Sequence, residues 1–489
     1  MRKRFAFVFL VFLFHNAVLS QAFKEKYRPQ YHFTPDKNWI NDPNGLVYYA
    51  GEYHLFYQYN PFGNKWGHMS WGHSVSADLV RWKELPVAIP EENNVGIFSG
   101  SAVVDPFNTS GFIQIRGQVP MVAIYTADIP NTNQSQHIAY SLDSGRTFTK
   151  FNFNPVLDLE KKDFRDPKVF WYEPSKKWIM AVMLPHEKKV QFYSSKSLKA
   201  WTLLSEFGPA GDTTGIWECP DLFRVPVSGV PGKYKWVFMH SPSPYMQYFV
   251  GEFDGTKFIN ESAPNKILRP DYGPDYYAAI VYNNLPPGTE PVSIGWANNW
   301  NYAGDIPAGE WRGSMSLPRS LQLKKIDEEY ILLQNPVDQI ATLKIKEARL
   351  SSDKPIPVES QSFFVEWEWN TNAAVSQEVV VGANDLVVRF NAAAKEVVLD
   401  RSGSKGFNNE AYKKLSAYKA VVPGKLTGKL KFRLYFDASI AELFVGEGEV
   451  AMTAQVFPAE PVRTLSFTSD GAAHPVVFQT LGGYREIMK

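Results

Sequence analysis

Short apolar stretches of strand length recur along the first two-thirds of this chain, each reached through a turn, and none is spaced like one face of a helix. Five of them, at 53–57, 121–125, 178–182, 236–239 and 292–296, begin about 55 to 70 residues apart. Each follows a strand that opens on polar residues: Asn41 and Asp42, then Ser99, Arg165 and Asp166, Glu218, and Asp275 with Tyr276. Most are followed by a third strand and a turn that ends on an aromatic residue, as at Trp82, Phe148, Trp201 and Phe258.

Five repeats of a few antiparallel strands predict an all-β fold beginning with a five-bladed β-propeller, its loops longer than in repeats of about 40 to 50 residues. The innermost strand of every blade lines one axis, so the polar residues that open those strands are expected to converge. Beyond Pro336 the pattern changes. Alternating segments at 363–369, 385–390 and 431–436, joined by Gly and Asn turns, predict a C-terminal β-sandwich. The expected division is a propeller over 23–336, a linker over 337–347 and a sandwich over 348–489. The sandwich segment shows no clustered carboxylates, which leaves it a structural or accessory part.

Arg2, Lys3 and Arg4, an apolar run over 5–14 and small residues up to Ser20 have the layout of a secretory signal peptide over 1–22. The mature chain is therefore expected to be secreted or periplasmic, with no membrane span. Its one cysteine, Cys219, excludes an internal disulfide, so stability rests on the core, for which 489 residues with 44% hydrophobic content suffice. With 51 basic and 50 acidic side chains, the net charge of +1 leaves no electrostatic footprint for nucleic acid and favours a neutral partner. Fourteen Trp and 24 Tyr suit carbohydrate, whose ring faces lie on aromatic planes, although most aromatics here serve simply as good strand residues.

Three stretches carry candidate chemistry. In Trp39-Ile40-Asn41-Asp42-Pro43-Asn44-Gly45, Pro43 biases Asp42 toward an extended backbone and Asn44-Gly45 supplies a tight turn, which fixes a carboxylate at the mouth of a strand. Phe164-Arg165-Asp166-Pro167 repeats the device beside a guanidinium, and Trp217-Glu218-Cys219-Pro220 sets a carboxylate beside an aromatic ring. Taken singly these read as a turn, a structural salt bridge and a solvated charge. Three proline-flanked carboxylates opening three inner strands of one channel instead mark a single site. His68 and His73 have no third ligand nearby in sequence and do not read as a metal site.

In this order the three stretches resemble the signature motifs of glycoside hydrolase family 32, the invertases, inulinases and levanases. Gln58, Trp66, Phe98-Ser99-Gly100, Asp275-Tyr276-Tyr277 and Trp296 fall on further positions of that family, and the stretch 437–444 resembles the signature of its C-terminal sandwich. Ile40, where the family often has Met, is a conservative departure. The resemblance implies a retaining hydrolase of terminal β-D-fructofuranosyl units in levan, inulin or sucrose, with no metal or cofactor. Asp42 would be the nucleophile, Glu218 the acid and base, and Asp166 a stabiliser of the transition state, the retaining pair standing about 5–5.5 Å apart. Asn41, Gln58, Ser99 and Arg165 would meet fructose hydroxyls, Trp66, Phe98, Trp217 and Trp296 would wall the pocket, and Tyr277 would join the substrate-binding set.

The segment from Asn298 to Gly313 is more like exo-acting inulinases and levanases, and a closed funnel would admit only a chain end to Asp42. Trp300, Tyr302 and Trp311 are expected there as a platform for further sugar units. A fructosyltransferase would use the same carboxylates with a sugar acceptor, and a binding protein would keep the fold without turnover. The sequence leaves the oligomeric state open.

Overall fold

The computed structural model describes residues 24–263, 265–372, 376–468 and 475–484, and the expected signal peptide lies outside them. The fold is all-β. Among the described residues the only α-helix is the short Glu410–Lys414.

Up to Pro336 the chain lays down five small, mainly antiparallel sheets in succession. Their inner strands are Asn38–Tyr49, Gly96–Val104, Arg165–Tyr172, Trp217–Pro226 and Tyr277–Val281. In each sheet the next strand of the chain pairs antiparallel with the inner one, and these second strands are the five apolar stretches of the sequence. The inner strands touch one another in a closed cycle, first to second and onward until the fifth meets the first. A short strand, Trp311–Arg312, leaves the fifth sheet's segment and pairs in parallel with Asn38 and Trp39 of the first.

The second strands are mostly apolar at their centres because both their faces are buried. Phe56 packs toward the second sheet in one core, while its neighbour Leu55 packs toward the fifth in another. Likewise Ile179 and Met180 point into separate cores against the fourth and second sheets. Burying a side chain of this size is worth roughly 1.5–3 kcal/mol, so alternation of polar and apolar residues would forfeit half of that along each strand.

The C-terminal part forms two six-stranded sheets around one shared core, in which Trp367 and Phe432 of one sheet meet Val388 and Leu399 of the other. The stretch joining it to the five sheets contains the 3-10 turn Asp338–Leu343 and runs directly into the strand Lys344–Ser351.

The contact between the two parts combines apolar packing, as of Phe407 and Phe457 with Tyr302, with a buried polar network. Asp437 accepts the backbone N–H groups of Gln30, Tyr31 and His32 at 2.8, 2.8 and 2.9 Å, and His32 Nδ1 at 2.9 Å. Glu442 accepts His32 Nε2 at 3.0 Å and Arg319 Nη2 at 2.6 Å, and Arg319 also reaches Asp271 at 3.0 Å. Burial alone would lower the His32 pKa, but hydrogen bonds to Asp437 and Glu442 reverse this and raise it to about 9. The 437–444 motif thus anchors the two parts to each other.

Candidate active site

One backbone device recurs in all five sheets. The pairing of inner and second strand slips by one residue between Ile40 and Pro43, Ile97 and Gly100, Arg165 and Lys168, Glu218 and Asp221, and Tyr277 and Ile280. Each slip sets two inner residues against one, which is a β-bulge. The bulged pairs are Asn41-Asp42, Phe98-Ser99, Asp166-Pro167, Cys219-Pro220 and Ala278-Ala279. Proline suits such a place because it has no N–H to leave unpaired, and Asp166, Cys219 and Ala278 take the positive φ values of 66°, 49° and 53°. The bulges aim the motif side chains into the space enclosed by the ring of inner strands.

There, Asn41, Asp42, Gln58, Trp66, Phe98, Ser99, Arg165, Asp166 and Glu218 line one cavity of about 340 Å³, together with Gln134, Asp163 and Trp300. Asp42 accepts Ser99 Oγ at 2.7 Å on Oδ2 and Asn41 Nδ2 at 2.9 Å on Oδ1, and Asn41 is itself held by Trp39 Nε1 at 2.8 Å. Cys219 lies between two carboxylates. Its Sγ is 3.5 Å from Asp42 Oδ2 and 3.7 Å from Asp166 Oδ2, while its backbone N–H donates to Asp166 Oδ2 at 2.9 Å.

Glu218 is gripped from two sides. Arg165 donates to Oε1 from Nε at 3.1 Å and from Nη2 at 3.0 Å, and the Tyr277 hydroxyl donates to Oε2 at 2.5 Å. The remaining edge of Arg165 donates to Asp163 at 2.8 Å and Gln134 at 3.1 Å, so each of its three nitrogens has a protein partner and one Nη2 hydrogen is left over. Burial raises the Asp42 pKa, with hydrogen bonds from Asn41 and Ser99 opposing and the Glu218 charge adding to the rise. Burial also pushes Asp166 up to about 7, offset in part by Arg165 and reinforced by the charges of Glu218 and Asp42.

Further along the inner strands, past a small enclosed void, side chains cross the axis. Lys168 Nζ donates to Asp221 at 3.0 Å and to Val281 O at 2.8 Å, and Ser101 Oγ donates to Pro167 O at 2.8 Å. Asn283 donates to Ala102 O and Val169 O at 2.8 and 2.9 Å. The cavity therefore has a floor.

The sequence matches the models of the glycosyl hydrolases family 32 N-terminal domain over residues 32–336 and of the family 32 C-terminal domain over 331–481. The chain belongs to glycoside hydrolase family 32. Among family members, the levanase of Bacillus subtilis strain 168 is 45% identical over 469 residues, spanning 91% of this chain and 68% of that protein. The extracellular exo-inulinase of Aspergillus niger is 37% identical over 526 residues, spanning 94% of this chain and 95% of that one. The crystal structure of the exo-inulinase from Aspergillus awamori superposes with a TM-score of 0.88 at 35% identity, covering 94% of this chain and 99% of that chain.

Within this family 32 glycoside hydrolase, two aromatics expected on the pocket wall stand elsewhere. Trp296 is fully buried behind Trp39 and Trp300, at 6.0 and 4.8 Å between ring centres, and Trp217 is fully buried against His240, bonded through Nε1 to Asp212 O. Both are large rings that cost most when left in water, and each backs an inner strand instead. Tyr302 and Trp311, expected as a platform, are also core residues. Tyr277 is buried too, reaching the site only through its hydroxyl on Glu218. Trp66, 53% exposed and 6.1 Å from Phe98, is the open aromatic face of the cavity. Gln134 and Asp163 were not anticipated. They lie outside the proline-flanked signals, and only their shared hold on Arg165 identifies them.

Proposed function

We propose that this protein is an exo-acting, retaining β-fructofuranosidase that releases terminal β-D-fructofuranosyl units from levan and inulin and also cleaves sucrose. One observation carries this reading: three carboxylates set in or directly beside the bulges meet in a single floored cavity whose other polar groups already hold them in place. Asp42 attacks the anomeric carbon as Glu218 protonates the departing oxygen, giving a glycosyl ester and a free sugar or shortened chain. Glu218 then takes a proton from water, whose oxygen displaces Asp42 and frees fructose. Asp166 and the unesterified carboxylate charge favour the cationic transition state. Asn41, Gln58, Ser99 and Arg165 present amide, hydroxyl and guanidinium groups to the sugar, and Trp66 and Phe98 offer their faces.

In this reading the five sheets are the blades of one propeller over residues 23–336, with the cyclic contact of inner strands as support, and the two later sheets form a sandwich whose first strand, Lys344–Ser351, already begins within the expected 337–347 linker. A secreted location agrees with relatives named extracellular. The test is a time course on levan and inulin. Free fructose and gradually shortened polymer are expected from the first samples, and a ladder of small oligosaccharides preceding fructose would overturn the exo assignment.

A further inference from the structure

Arg401 directly follows the strand Glu396–Asp400 of the C-terminal part and lies far along the chain from every residue of the cavity, yet it is wholly buried at the contact between the two parts. Each edge of its guanidinium is engaged. Nη1 donates to Asp275 Oδ2 at 2.6 Å and Gln455 O at 2.9 Å, Nη2 to the Tyr302 hydroxyl at 2.8 Å, and Nε to Leu415 O at 3.1 Å. The Tyr302 hydroxyl donates to the other oxygen of Asp275, and the Gln455 N–H donates to Asp275 Oδ2 at 2.7 Å. Desolvating such a pair cancels most of its attraction, so its net contribution to stability is small and what it fixes is geometry.

Both residues that Arg401 holds stand two positions from the active site. Asp275 precedes Tyr277, whose hydroxyl donates to Glu218, and Tyr302 follows Trp300, which lines the cavity and stacks on Trp39 with ring centres 6.0 Å apart. Asn299 joins the two arms. Its Nδ2 donates to Pro274 O at 2.7 Å, its Oδ1 accepts the Asn301 N–H at 3.0 Å, and its carbonyl accepts the N–H groups of Tyr302 and Ala303 at 3.1 and 2.8 Å. Arg401, Asp275, Tyr302 and Asn299 make one brace, with Tyr277 at one tip and Trp300 at the other.

We propose that Arg401 is a positioning residue: acting from the C-terminal sheets through Asp275 and Tyr302, it sets Tyr277 on Glu218 and holds Trp300 at the cavity wall. This rests on the assignment of Glu218 as the acid. If Asp275 loses its anchor, the Tyr277 ring is free to turn, and the carboxyl it steadies no longer faces the departing oxygen. Proton delivery by a placed acid is worth about 10²–10⁴-fold, so a modest misplacement is readable in rate. The C-terminal sheets are then part of the catalytic apparatus as well as of the fold.

Two substrates separate positioning from simple destabilisation. Sucrose needs its leaving oxygen protonated, whereas β-D-fructofuranosyl fluoride expels an ion that needs little help. Loss of folded enzyme lowers both rates in equal proportion; misplacement of the acid lowers chiefly the first. We expect R401M to lose at least about tenfold in kcat/KM, which reads ester formation apart from the water step common to both substrates, on sucrose but less than about threefold on the fluoride, with Y302F showing a smaller split in the same direction. R401K, which keeps the charge, should recover part of the sucrose rate. N335A, which removes hydrogen bonds to Glu447 O and Arg433 at another edge of the same contact, should leave the ratio of the two rates unchanged. Equal losses on both substrates in R401M and Y302F, or no loss in either, would overturn the proposal. E218A distinguishes the two levels: if it too fails to spare the fluoride, the acid assignment itself falls; if it spares the fluoride and R401M does not, only the positioning role falls.

Discussion

Replacing His32 by Gln tests the electrostatics of the contact between the two parts. His32 is clamped between Asp437 and Glu442, and its pKa rises from 6.5 to about 9. A group that binds its proton more tightly when folded adds stability that is complete below 6.5 and disappears as pH climbs through about 9. That difference is worth about 3 kcal/mol at order of magnitude. Gln keeps the shape and some hydrogen bonding but carries no charge, so two carboxylates then face each other with only Arg319 to balance them. Urea unfolding of wild type and H32Q at pH 6, 7.5 and 9.5 reads the effect. The wild-type advantage should be near its full value at pH 6, smaller at 7.5, and reduced at 9.5 to what packing and neutral hydrogen bonds provide. Taking the difference removes groups common to both proteins, including Asp166, whose contribution is lost as pH rises from its ordinary range to about 7 and stays lost above it. A difference that stays constant from pH 6 to 9.5 would refute the reasoning.

Other outcomes concern the carboxylates. Asp42→Asn should reduce turnover on every substrate to below about a hundredth, because an amide cannot form the glycosyl ester; larger residual activity in a preparation free of deamidation would remove Asp42 from that role. Glu218→Ala should lose most activity on sucrose and levan while sparing the fructosylation step with a substrate that has a good leaving group, as measured by kcat/KM for leaving-group release in parallel assays. Because Asp42 and Asp166 both titrate above the ordinary carboxylate range, kcat/KM should climb with pH until they ionise, toward about 7 for Asp166. A profile already flat at pH 4 would contradict those raised values.

The carboxylates were legible in the sequence because each announces its backbone. Pro43, Pro167 and Pro220 follow within two residues of Asp42, Asp166 and Glu218, and proline beside a strand start is a local signal. The second strands were legible for a similar reason, since a strand buried on both faces leaves an unbroken apolar run. Aromatic residues gave no comparable signal. Trp66 at the cavity, Trp296 behind it and Trp311 in a strand all suit a pleated surface, and only tertiary packing decides which one faces solvent. Gln134 and Asp163 were invisible because their role is defined by Arg165, a partner brought near by folding. The contact of Asp437 and Glu442 with His32 was equally hidden, as it joins residues about four hundred positions apart.

The floor built by Lys168, Asp221 and Asn283 governs traffic as well as shape. With the axis sealed behind the carboxylates, a freed fructose sits at the bottom of a blind well, underneath the chain from which it was cut. It has no rear exit, so the shortened polymer must back out before the sugar can escape. Every cleavage therefore ends an encounter. An enzyme of this shape cannot thread a fructan and consume it from end to end; it nibbles many chains in turn, and the whole population shrinks together. Turnover on long polymer then follows the supply of free chain ends rather than the mass of sugar present.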